Sequence, residues 1–200
     1  TAAENIGAMI IGIAIFAVTH EPVWVLFPLV VRSFGIIASM VGIMCVRGKE
    51  GENPMNALNR GYFVSLALSI VGVVITVLLM MSGLSGGDKG WMIGAGVVGI
   101  VTSVIVVFVT QYYTEYKYKP VKDIANAART GPATVIVQGT AVGFETTAAT
   151  SILIAIALLL SYWMGSQIDL PGNVSGGVFG TAVATMGMLM TCPFILAMDT

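Results

Sequence analysis

The stretch "TGPATVIVQGTAVGFETTAAT", Thr130 to Thr150, opens an apolar run that continues to about residue 164. Val, Ile, Ala and Gly dominate it, and no charge interrupts it before Glu145. It reads as the start of a membrane helix. The run, at about 133–164, is too long for one crossing. Its roughly 32 residues make about 48 Å of helix, against a hydrocarbon core of about 30 Å. Such a helix must tilt, break or project beyond the bilayer. An ionised carboxylate in hydrocarbon is costly without a partner or a wet cavity, so Glu145 raises the question of what surrounds it.

The rest of the chain answers the first half of that question. Its 200 residues are 56% hydrophobic and only 10% charged, whereas a soluble domain is about 25% charged. Mean hydropathy is +0.93. Apolar runs fall at about 2–18, 23–46, 62–82, 91–110, 133–164 and 174–198, with loops at about 47–61 and 111–132. The expected fold is an all-α, polytopic membrane protein: six transmembrane helices in a single integral membrane region over residues 1–200. The net charge of −1 points to no nucleic acid partner. Cys45 and Cys192 lie inside apolar runs and read as small buried hydrophobes. The opening "TAAENIGAMI" has no charged region of a signal peptide and starts in mid-pattern. The ending "FILAMDT" stops just after an apolar run, so both ends read as cut from a longer chain.

Lys and Arg give the orientation. Arg47, Lys49 and Arg60 lie in the loop after the second run, and Lys117, Lys119, Lys122 and Arg129 in the loop after the fourth. The connections "THEP", "SGLSGGDKG" and "GSQIDLPGNVSGG" hold only Lys89. The basic loops are therefore expected in the cytoplasm. Gly139 with Gly143, and Gly176 with Gly180, recur at the four-residue spacing that lets helix backbones approach closely.

Four polar residues need explaining. Arg32 sits about nine residues into the second run, roughly 14 Å from its outer end. It reads either as a structural arginine, bonded to helix carbonyls or snorkelling, or as a charge facing a polar interior. Glu4 precedes the long apolar part of the first run and fits equally a helix-entry acid in water or a buried group. Glu145 has Ala141, Ala148 and Ala149 in its helical neighbourhood, which suits contact with another helix. It reads as an acid at the inner interface or as an interhelical hydrogen-bonding group. Asp199 ends the sixth run, where negative charge opposes the helix dipole. His20 is alone in a short loop. No Ser-His-Asp set, Walker loop, Rossmann glycines or Cys/His metal cluster is present.

At residues 110–147, "TQYYTEYKYKPVKDIANAARTGPATVIVQGTAVGFETT", the chain resembles a family, the membrane-integral (ion-translocating) inorganic pyrophosphatases. Their pattern there is T-E-Y-Y-T, P-V, I-A, T-G-x-A-T and G-x-x-x-G-M-E-S-T. "FPLVVRSFGIIASMVG" resembles the family's P-L-x-x-R-x-x-G-I-x-x-S segment, and "NPMNALNRGYFVS" its next cytoplasmic turn and helix. "TCPFILAMDT" resembles the approach to M-D-x-x-G-P-x-x-D-N-A-G-G. The order and spacing agree along nearly the whole chain. Departures are Gln111 for the acid of T-E-Y-Y-T, "FETT" for M-E-S-T, and Thr150 for the proline that follows.

The resemblance implies a middle portion, spans six to eleven, of a sixteen-helix bundle. It implies a homodimer that hydrolyses cytoplasmic pyrophosphate with Mg2+, in some members with K+, and pumps H+ or Na+ outward. The motifs that hold Mg2+ and pyrophosphate are not among these residues, so this 200-residue piece alone is expected to be inactive and to contain no catalytic or metal-binding residue. "TAAE" matches the S-Y-A-E frame of plant-type proton-pumping members. By that resemblance Glu4 is the gate glutamate of the ion path, and H+ is favoured over Na+. Arg32 and Glu145 become structural polar residues in the bundle, and Asp199 lies near the active site. The alternative is a secondary transporter or channel using Glu4, Arg32 and Glu145.

Overall fold

The computed structural model describes residues 2–48, 54–170 and 175–199. Among them are eight helices and no strand: α1 (Ala2–Thr19), α2 (Val23–Met44), α3 (Pro54–Met80), α4 (Gly86–Thr114), α5 (Lys119–Ala127), α6 (Pro132–Gly165), α7 (Gly176–Met190) and α8 (Cys192–Asp199). Six stretches are long and apolar enough to cross a membrane; α7 with α8 supplies the last of them, Gly176–Met198.

Two helical segments lie in what the sequence suggested were loops. α3 already begins at Pro54, inside the expected loop 47–61. A proline is pre-organised for the first helical position, where its missing N–H costs nothing. α5 lies inside the expected loop 111–132, opened by Pro120 in its first turn. Lys49 lies outside the described residues. α6 runs unbroken from Pro132 to Gly165, so the overlong run does not break.

The chain divides into two compact units, Thr1–Val101 with Leu158–Thr200, and Thr102–Ala157. In the first, α2 packs against α1, α3, α7 and α8, and α7 also meets α1. The core there joins Ile15 of α1 and Trp24, Phe27 and Val31 of α2 to Phe179, Met186 and Met190 of α7. Small residues set the helix spacing. A Cβ on Gly99 would meet the Ala184 carbonyl oxygen, and one on Gly187 would meet the Gly96 carbonyl oxygen. α4 and α7 therefore touch backbone to backbone. Pro28 lies inside α2 and removes the N–H that would bond the Trp24 carbonyl. That carbonyl lies instead against Gly12 of α1, where no side chain stands in the way.

The expected close pairs divide. Gly176 and Gly180 both lie against Gly165 at the end of α6, but nothing lies within 4 Å of a Cβ on Gly139 or Gly143. Spacing alone does not make a contact, because the pair must also face a neighbour. Both cysteines are free; Cys192 is half-buried, but Cys45 is exposed, contrary to its expected burial. It caps the C-terminus of α2, where the helix ends and its sides are no longer covered.

Candidate functional site

α1 presents one packed stripe: Ala8, Gly12 and Ile15 are buried at helical spacing. Glu4 stands one turn before Ala8, but unlike those three residues it is exposed. Glu4 borders a small open cavity of about 220 Å³ with Gly7, Ala8 and Ile11 of α1, Leu158 of α6, and Thr181, Ala182 and Thr185 of α7. The Thr185 hydroxyl donates to the Thr181 carbonyl at 2.8 Å, and Thr181 to the Val178 carbonyl at 2.7 Å. Each hydroxyl then keeps acceptor capacity. These two threonines escape notice in the sequence, where they are small polar residues in a Gly- and Ala-rich run. Their four-residue spacing is the signal that puts them on one face.

Arg32 is half-buried on α2, on the face that holds Pro28, Gly35 and Ser39. Its Nη1 donates to the Leu189 carbonyl of α7. Ser39 Oγ donates to the next carbonyl, Met190, at 3.3 Å. Both acceptors sit where α7 stops, at Thr191, before α8 resumes from Cys192 and Pro193.

Glu145 belongs to the second unit, where it is exposed, and its Oε1 accepts a hydrogen bond from the Tyr113 hydroxyl of α4 at 3.2 Å. Asp199 is the last residue of α8, and its side chain lies outside the described structure. A larger cavity, about 490 Å³, lies at the other end of α1, among the α1–α2 and α3–α4 turns and the residues after α6. It is lined in part by Glu21, Trp24, Asp88 and Asp169. Asp88 is engaged in capping α4, since Ser85 Oγ donates to its carboxylate at 2.7 Å. Among the described residues no three His, Cys, Asp or Glu side chains converge to hold a metal ion.

The chain matches the family of inorganic H+ pyrophosphatase over residues 1–200. It is 53% identical, over its whole length, to the K(+)-insensitive pyrophosphate-energized proton pump 2 of Moorella thermoacetica, of which it covers 29%. It is 39% identical over 99% of its length to pyrophosphate-energized membrane proton pump 3 of Arabidopsis thaliana, covering 26% of that protein. A putative K(+)-stimulated pyrophosphate-energized sodium pump of Clostridium tetani is 34% identical over 97% of the chain, which covers 27% of it. The chain thus spans less than a third of the length of these relatives. With a family match from end to end and six apolar helices in place, the chain belongs to the inorganic H+ pyrophosphatases, a family of polytopic membrane proteins.

Proposed function

We propose that this chain is the middle membrane portion of a pyrophosphate-energised pump that moves H+ outward. The observation that carries the ion-path reading is Glu4: an exposed carboxylate on an apolar helix long enough to cross a membrane, bordering a small open cavity that Thr181 and Thr185 also line. An ionisable group in such a helix is costly unless it serves a polar path, and a carboxylate can take up and release a proton. H+ is preferred to Na+ because the 53%-identical relative is named a proton pump, and the relative named a sodium pump is only 34% identical. The same comparison favours K+-insensitive action.

Pyrophosphate hydrolysis would need several carboxylates around Mg2+, and lysines for the phosphates. The described residues offer no such convergence of acids, so no hydrolytic step is derived from them. Mg2+ would polarise the phosphoryl oxygens and be held by other parts of the protein. Asp199, at the end of α8, would lie near that site. The basic loops would face the cytoplasm, and the assembly would be a homodimer in the bilayer.

The test is to reconstitute the full-length protein in vesicles, supply pyrophosphate and Mg2+ without Na+ or K+, and follow internal pH with a trapped dye. Acidification is expected. Hydrolysis without acidification, or acidification only with Na+ present, would overturn the proton-pump reading. The present 200 residues alone are expected to hydrolyse no pyrophosphate.

A further inference from the structure

The short helix α5 belongs to none of the sites above, yet its charges are sorted. Residues 115–130 carry Lys117, Lys119, Lys122 and Arg129 against Glu115 and Asp123. All four cations are exposed, whereas both acids are half-buried. Helical spacing explains the division. Lys119, Lys122 and Asn126 fall on one face of α5, and Arg129 follows in the turn beyond its end. Pro120, Val121, Ile124 and Ala127 fall on the other face, where they are buried or half-buried. Among the described residues the four cations make no side-chain hydrogen bond or ion pair.

Both ends of α5 are pinned to the helices beside it. Tyr118, at its N-cap, packs against Tyr112 of α4 with ring centroids 5.3 Å apart. At the other end the Ala127 carbonyl accepts from the hydroxyls of Thr130 at 2.8 Å and of Thr134, on α6, at 2.9 Å. α4 and α6 each belong to a stretch long and apolar enough to cross a membrane. The segment joining them therefore stands at the edge of the hydrocarbon. Tyr112 and Tyr116 are exposed along it, and tyrosines of this kind settle at the headgroup level.

We propose that the basic face of α5, with Lys117 and Arg129 at its ends, binds the anionic phospholipid headgroups of the adjoining leaflet and so clamps the α4–α6 connection to the membrane surface. Neither Glu4 nor pyrophosphate enters this proposal, so it stands apart from the pump reading. Lys and Arg clustered beside a membrane-crossing helix draw anionic lipid, and a helix with one charged face suits the headgroup layer. The chemistry recognised is a phosphate, and the leaflet is its source. Headgroups form a continuous array at the level of the tyrosines, which cations spread from 117 to 129 can meet together. A free phosphate would meet only the one or two cations nearest it. A protein partner would have to place several acids in register with the lysines.

The experiment uses the full-length protein with Asn126→Cys, its other cysteines replaced by serine, labelled with a small fluorophore and reconstituted in phosphatidylcholine vesicles. A fixed fraction of the lipid carries a nitroxide near the headgroup, on phosphatidylglycerol in one arm and on phosphatidylcholine in the other. Phosphatidylglycerol is expected to quench at least about twofold more strongly. That preference should fall with added salt and vanish when Lys117, Lys119, Lys122 and Arg129 are all changed to Gln. Equal quenching by the two lipids would overturn the proposal, and so would a preference that survives the fourfold change. Quenching by neither lipid would mean that protein covers this face, which also overturns it. A preference abolished by pyrophosphate at constant ionic strength would assign the face to free phosphate and overturn it. If the fourfold variant does not fold, Lys119→Gln with Lys122→Gln is read in its place, and an undiminished preference overturns the proposal. If the label at residue 126 prevents folding, the exposed Ala125→Cys carries it.

Discussion

Arg32 and Glu145 are both ionisable groups in apolar segments, and each meets its partner differently. Arg32 reaches a backbone carbonyl on a helix 157 positions later in sequence, where a charge-assisted hydrogen bond is favourable. Arg32→Ala in the full-length protein should therefore lower stability by about 1–3 kcal/mol, checked by denaturant unfolding in detergent. Glu145 takes an exposed tyrosine hydroxyl. Tyr113→Phe should shift the thermal midpoint by no more than about 2 °C, because exposed polar contacts contribute little. The sequence showed that both charges need partners. It could not show which, since Leu189 and Tyr113 are chosen by helix register and packing angle. The break that offers Leu189 was visible in "TCPF" as a proline inside an apolar run, yet its meaning depends on α2 lying alongside.

Helix contacts in this chain are made by glycines that face something, and two sites separate that from mere spacing. Gly99 of α4 lies against the Ala184 carbonyl of α7, so Gly99→Val has to push two backbones apart. It should cost more than about 3 kcal/mol or prevent folding, read as loss of the folded protein on size exclusion in detergent. Gly139 of α6 has open space around it, so Gly139→Ala should leave stability unchanged or raise it by up to about 1 kcal/mol in the same unfolding assay. Run lengths and the six apolar stretches were legible because hydrophobicity over about 20 residues is a coarse, local signal. Helix starts at Pro54 and Lys119 were not, since polar, solvent-edge turns of helix carry no apolar pattern to extend the run.

For the whole molecule, the resemblance across several motifs in order reached the family, because separated motifs constrain one another where a single one does not. The charge bias of the loops makes a topological prediction. In a background with Cys45 and Cys192 replaced by Ser, a cysteine at Arg129 should react with an impermeant thiol reagent only from the cytoplasmic side. One at Gly86 should react only from the opposite side. Glu4 could be singled out by family pattern, but its cavity and the threonines of α7 needed the packed α1–α7 pair. If Glu4 carries the proton, pyrophosphate-driven acidification of vesicles containing the full-length Glu4→Gln protein falls to background; acidification at the unmodified rate would mean that the proton takes another path.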